Sequence, residues 1–154
     1  MLRPSPSRLL LGWREWLSLP QLDVACIRAK VDSGARSSSL HVLEQEIFQL
    51  DGIQRVRFVL EHGPRERLRH QAEADVLDQR VVTDSGGHRE TRVFIRTLLQ
   101  LPTGAAWPIE LNLTERRNMQ FPMLLGRTAL RRRCLVEPAR SFLLGIPAEA
   151  QEPT

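Results

Sequence analysis

Tyrosine is absent, and of the 22 basic side chains all but Lys30 are arginine, so the net charge of +4 reflects coding or lineage bias as much as a binding face. Aromatic residues make up only 5% of the chain, which provides poorly for a surface that stacks single-stranded bases. The basic run Arg131-Arg132-Arg133 and the alternating Arg65, Arg67 and Arg69 therefore read as solvated faces, and nucleic acid is not expected as a partner. Two cysteines, Cys26 and Cys134, are too few for a disulfide scaffold or a four-ligand zinc site; both are expected as reduced, small buried hydrophobes. No apolar run approaches the roughly 18 residues of a membrane span. Leu9-Leu10-Leu11 is soon interrupted by Gly12, Arg14 and Glu15, so neither a membrane nor a secretory leader is expected, and a cytoplasmic location is. The chain holds no phosphate-loop pattern and no His-Glu-x-x-His. His41, His62, His70 and His88 lie too far apart for a local ligand pair, so no cofactor and no metal are expected.

What is present, 154 residues at 42% hydrophobic and 26% charged, suits one domain. Residues 1–8 and 147–154, rich in proline, read as loose termini around a body at 9–146. Within it the apolar pattern is short and extended, over Leu9–Trp16, Val24–Val31, Glu46–Leu50, Arg55–Glu61, Gln71–Thr83, Glu90–Leu101, Ala106–Leu113, Met123–Leu125 and Ser141–Leu144. Val56-Arg57-Phe58-Val59-Leu60 and Arg92-Val93-Phe94-Ile95 alternate with the period of a half-buried strand. Asp51-Gly52 signals a hairpin. A short helix is expected at Arg127–Arg133 and a single turn at Arg36–Leu43. Trp13, Trp16 and Trp107 read as packing residues of the core or of an interface. The sum is a mostly β domain, a closed barrel or sandwich with one short helix near the C-terminus.

Ile27–Val31 runs into Asp32-Ser33-Gly34-Ala35, which sets a carboxylate at a strand end beside a turn glycine. Alone, this also reads as a surface turn, since Asp, Ser and Gly are turn residues. Two features alter the reading. Met123-Leu124-Leu125-Gly126-Arg127 is an apolar strand ending in glycine before a helix. Val81 to Ile95 forms two extended arms around a tip, Asp84-Ser85-Gly86-Gly87, the pattern of a mobile hairpin.

Acid loop, glycine-tipped hairpin, then apolar-Gly strand and helix is the chain order of a retropepsin-type subunit. With Gly12–Pro20, Ala29–His41, Ser85–Arg92 and Met123–Leu130, the chain resembles the bacterial retropepsin-like aspartic peptidases, whose members often carry the label ATP-dependent zinc protease. The resemblance reaches over most of 9–145. It implies a closed acid-protease barrel, with Asp32 as the catalytic aspartate and Ser33, Gly34 and Ala35 as its loop. It also implies Asp84, Ser85, Gly86 and Gly87 as the flap, and Leu124, Leu125, Gly126 and Arg127 as the supporting strand and helix start. Arg36 stands where retroviral enzymes have an acid that pairs with the arginine at position 127, so Glu15 or Glu115 is a candidate to replace it.

Acid-protease chemistry needs two carboxylates about 3 Å apart sharing one proton. A chain with one such loop must take the second from another copy, so a homodimer with Asp32 from each subunit and a peptide or protein substrate are expected. Val82-Thr83-Asp84-Ser85-Gly86 is a second Asp-Ser-Gly, which leaves a single-chain Asp32/Asp84 dyad open. A non-catalytic peptide-binding or dimerisation module is the alternative from another class; its arginines would favour acidic ligands such as polyglutamate.

Overall fold

The computed structural model describes residues 7–115 and 119–151. The chain runs through β1 (Leu9–Gly12), β2 (Arg14–Leu19), a 3-10 turn (Pro20–Leu22), β3 (Val24–Asp32), β4 (Ser38–His41), β5 (Glu44–Leu50) and β6 (Ile53–His62). A second 3-10 turn (Pro64–Glu66) leads to β7 (Leu68–Asp75), β8 (Asp78–Thr83), β9 (Arg89–Gln100) and β10 (Ala106–Thr114). Then come β11 (Met123–Gly126), α1 (Arg127–Leu130), β12 (Cys134–Glu137) and a 3-10 turn at Ala148–Ala150. The domain is mostly β with one α-helix among the described residues, as the sequence pattern predicts.

Among the described residues the strands fall into three sheets. Seven are ordered β10-β4-β11-β3-β2-β9-β8, and β9 also pairs with β10, which brings this sheet back on itself. β5-β6-β7 form a second sheet, and β1 and β12 a parallel pair. Asp51 and Gly52 both take positive φ (51° and 79°) between Leu50 and Ile53, the two-residue turn whose twist suits a hairpin. Along β6 every second residue is buried, so Val56, Phe58 and Leu60 meet Ile27, Ile95 and Leu111 in one core.

Several expected elements divide or change type for identifiable reasons. The run 71–83 breaks because consecutive residues bond to different sheets: Val76 N–H donates to Gln54 O and Leu77 N–H to Phe94 O. The run 9–16 breaks at Trp13, whose N–H donates to Arg140 O while its carbonyl accepts from Val31 N–H. The expected turn within 36–43 is strand β4, and the helix expected to reach Arg133 stops at Leu130 because Arg131 turns extended (ψ 129°) and Arg132 takes φ 67°. Ser141–Leu144 is not a strand: Phe142 has φ 56°, and Leu143 and Leu144 donate their N–H groups to the Glu15 carboxylate. β12 has no counterpart in the sequence reading. Ala150 packs on Trp16 and Cys26, so part of the expected tail is seated on the body.

The tryptophans pack as expected. Trp107 is buried and donates its indole N–H to Ala129 O at 3.0 Å, Trp13 meets Phe121 edge to face, and Trp16 stacks on Phe142. Both cysteines are buried and free, and burial pushes the Cys134 thiol up to about 11. No helix among the described residues is long and apolar enough to cross a membrane.

A partly buried histidine pair ties the second sheet to the 3-10 turn at Pro20–Leu22. His70 Nε2 lies 2.8 Å from Leu22 O, and a carbonyl only accepts, so Nε2 carries the proton. His70 Nδ1 then accepts from His62 Nε2–H at 2.8 Å. His62 Nδ1 is left as an enclosed acceptor with no partner, and burial, helped by His70, lowers the His62 pKa from its ordinary 6.5.

Candidate active site

β3 delivers Asp32 to the edge of a turn in which Gly34 N–H donates to Asp32 Oδ1 at 2.9 Å and Ala35 N–H to Asp32 O at 3.2 Å. Beside it, β11 runs parallel to β3 with Gly126 opposite Asp32. The glycine is required by close approach: a Cβ at 126 would lie 2.4 Å from Ser37 O. Gly126 N–H donates to Ser38 Oγ at 3.0 Å, and α1 begins by donating Arg127 N–H to Ala35 O at 2.8 Å. Thr128 Oγ1 adds a bond to Arg36 O at 2.9 Å. The acid loop and the apolar-Gly strand are thus interlocked through the backbone, which fixes Asp32 relative to both.

Across from this loop stands the β8–β9 hairpin, paired Thr83 to Arg89 at its last rung. Asp84 Oδ1 accepts from Gly86 N–H and His88 N–H, each at 2.9 Å, and Gly87 turns the tip with φ 84°. A cleft of about 950 Å³ lies between hairpin and loop. Asp32, Gly34 and Ala35 of the acid loop, Asp84 and Ser85 of the hairpin, and Leu124 and Arg127 all line it. Ser33, Gly86 and Gly87 are exposed beside it, whereas Leu125 points into the core.

Among the described residues, the guanidinium groups of Arg36, Arg80, Arg92 and Arg127 also line the cleft. Arg80 pairs with Asp78 and Glu110 and lies over the Phe94 ring at 4.3 Å. Arg92 is buried against Glu90, Asn112 and Ser39. Among the described residues neither Arg36 nor Arg127 joins an ion pair, so neither acid suggested for Arg127 serves it. Glu15 is fully buried elsewhere, accepting from Gly12, Leu143 and Leu144 N–H groups at 2.6, 3.0 and 3.2 Å.

The sequence reading missed Arg92, Asn112 and Ser39. The alternation expected over Arg92–Ile95 does not hold, since all four are buried because β9 is covered on both faces. The visible signal for Arg92 was an arginine leading three apolar residues in a row. Among the described residues no group of three or more His, Cys, Asp or Glu side chains is placed to hold a metal ion.

Three comparisons bear on this geometry. The chain is 40% identical over 142 residues to a Shewanella pealeana protein named "Probable alpha-L-glutamate ligase", a match that covers 92% of this chain and 31% of that one. A Parasynechococcus marenigrum protein of the same name is 42% identical over 139 residues, covering 90% of this chain and 30% of its own length. The chain therefore spans about a third of the length of these curated relatives. A crystal structure of a Legionella pneumophila protein with unknown function superposes with a TM-score of 0.74 at 27% identity, over 90% of this chain and 99% of that one. Residues 10–146 match the family model described as RimB-like, retropepsin-like aspartic endopeptidase RimB. With an aspartate loop, an interlocked apolar-Gly strand and a facing hairpin around one cleft, the chain belongs to the RimB-like family of retropepsin-like proteins.

Proposed function

We propose that the protein is an aspartic endopeptidase in which a water molecule is activated between Asp32 of one subunit and Asp32 of a second. The observation that carries this reading is the placement of Asp32 in the cleft, held by its own loop and by β11, opposite the glycine-tipped hairpin. Two carboxylates brought close together share one proton because both cannot ionise. The ionised one takes a proton from water as the water attacks the peptide carbonyl, and the protonated one donates to the carbonyl oxygen. The hairpin closes over the peptide and excludes bulk water. Asp84 lines the same cleft, but its Oδ1 already serves two backbone N–H groups of the tip, which supports a flap role over a single-chain dyad.

The parallel pair β1–β12 supports the second copy. Leu10 and Leu135 are direct neighbours across this ladder, and both are half exposed (51% and 50%), an apolar pair open to a second subunit. The arginines among the described cleft residues, of which Arg36 and Arg127 join no ion pair there, favour an acidic peptide. The curated relatives named as glutamate ligases carry a similar region within longer chains, which makes glutamate-rich peptides the first substrates to try.

The test is digestion of acidic and neutral peptide libraries alongside sedimentation over a concentration series. Activity per chain should rise through the dimer constant. Asp32→Asn should lower it by about a hundredfold to ten-thousandfold. A stable dimer that binds peptides and cuts none would favour a non-catalytic binding module. A strictly monomeric protein that still cuts would refute the paired Asp32 mechanism.

A further inference from the structure

Arg92 is 7% exposed and offers hydrogen-bond donors without an acceptor, so its partners define what it can do. Nε donates to the Glu90 carboxylate, and Nη1 donates to Asn112 Oδ1 at 3.0 Å and approaches Ser39 Oγ at 3.5 Å. Asn112, fully buried, is fixed in turn: its Nδ2 donates to Ser38 O at 3.0 Å. Ser38 Oγ accepts from Gly126 N–H, and Gly126 is the register partner of Asp32. An unbroken chain of bonds therefore runs from the strand beside Asp32 to the guanidinium.

The remaining nitrogen, Nη2, makes no hydrogen bond among the described residues and is not an enclosed orphan, while Arg92 lines the cleft. Its free N–H groups are open to whatever the cleft holds. Glu90, the acid already on Arg92, is half exposed, and an ion pair with so solvated a partner is readily exchanged. Asp32 and Asp84 on the cleft walls disfavour a dianionic phosphate relative to a singly charged carboxylate.

We propose that Arg92 is the specificity-determining residue of the cleft, receiving a side-chain carboxylate of the bound peptide on Nη2, with Glu90 as its internal counter-ion when the cleft is empty. This rests on the acidic-peptide part of the function proposed above. Because the bond chain fixes the guanidinium before binding, little ordering cost opposes the contact.

The test is calorimetric binding of hexaglutamate and hexaglutamine to the Asp32→Asn protein, in which hydrolysis is blocked. Hexaglutamate should bind more tightly. Adding Arg92→Met should weaken hexaglutamate by about tenfold to a hundredfold, the range of a charge-assisted hydrogen bond, and leave hexaglutamine unchanged. Glu90→Gln, at an exposed position, should tighten hexaglutamate. A preference for hexaglutamate that survives Arg92→Met in a folded protein overturns the proposal. Should Arg92→Met not fold, an unchanged hexaglutamate affinity in Glu90→Gln overturns it instead. Equal binding of the two peptides by the Asp32→Asn protein removes the acidic reading and this inference with it, even if wild type cuts peptides. An Arg92-dependent preference in a protein whose wild type cuts nothing removes the peptidase reading and leaves this one standing.

Discussion

A methyl group added at position 126 has nowhere to go, because Ser37 O and Ala35 O, both backbone atoms, lie 2.4 and 3.0 Å from where it would stand. Gly126→Ala should cost about 1–3 kcal/mol through overpacking, read as a lower midpoint in thermal or denaturant unfolding. Gly12→Ala should behave similarly, since its Cβ would sit 2.3 Å from Arg140 O. The histidine pair gives a second prediction at this scale. The folded-state pKa of His62 is depressed by burial first and by His70 second, so between that value and the ordinary 6.5 the unfolded chain holds more protons than the folded one. The stability tied to His62 is therefore complete above about pH 6.5 and falls as the pH drops below it. Thermal midpoints measured from pH 7.5 to 5 should decline in wild type, with a shallower acid slope in His62→Phe. Residues with a local signature, Asp32 in its turn and Gly126 at its strand end, were legible in the sequence. Glu15 was not, because the N–H groups it serves at Leu143 and Leu144 come from the far end of the chain.

Among the elements, the β8–β9 hairpin was read correctly from its own residues because its arms pair with each other and its tip is glycine. β4 and β12 were not, and the reason is the same for both. Ser38–His41 lies between β10 and β11, and Cys134–Glu137 beside β1, so each becomes a strand through partners distant in sequence rather than through its own alternation. The tip of the hairpin carries its own prediction. Asp84→Ala removes the acceptor that Gly86 and His88 N–H share and should loosen the tip, raising KM for peptides several-fold with a smaller effect on kcat. Asp84→Asn keeps an acceptor oxygen there and should be milder. Steady-state kinetics on the two variants separates them, and a loss in Asp84→Asn as deep as in Asp32→Asn would point to a single-chain dyad.

For the molecule as a whole, the proposed assembly is open to a mixing experiment. If each site takes one Asp32 from each chain, wild type blended with an excess of Asp32→Asn should lose activity beyond simple dilution, as mixed dimers form with one carboxylate apiece. Independent monomers would lose none per wild-type chain. Leu135→Asp, at the exposed pair of Leu10 and Leu135, should shift sedimentation toward the monomer and lower activity with it while leaving the fold intact.

The parallel ladder of β1 with β12 has a kinetic consequence. It joins Leu9 to Cys134 and Gly12 to Glu137, so among the described residues β1 has no hydrogen-bonded strand partner until β12 has been synthesised. Closing so long a loop carries its entropic cost before the contact repays it, and sheets built from such pairings fold slowly. β1 should therefore dock after the rate-limiting barrier, as the last piece of a nascent chain to find its place. Substitutions along it, such as Leu11→Ala, should speed unfolding while scarcely altering the refolding rate.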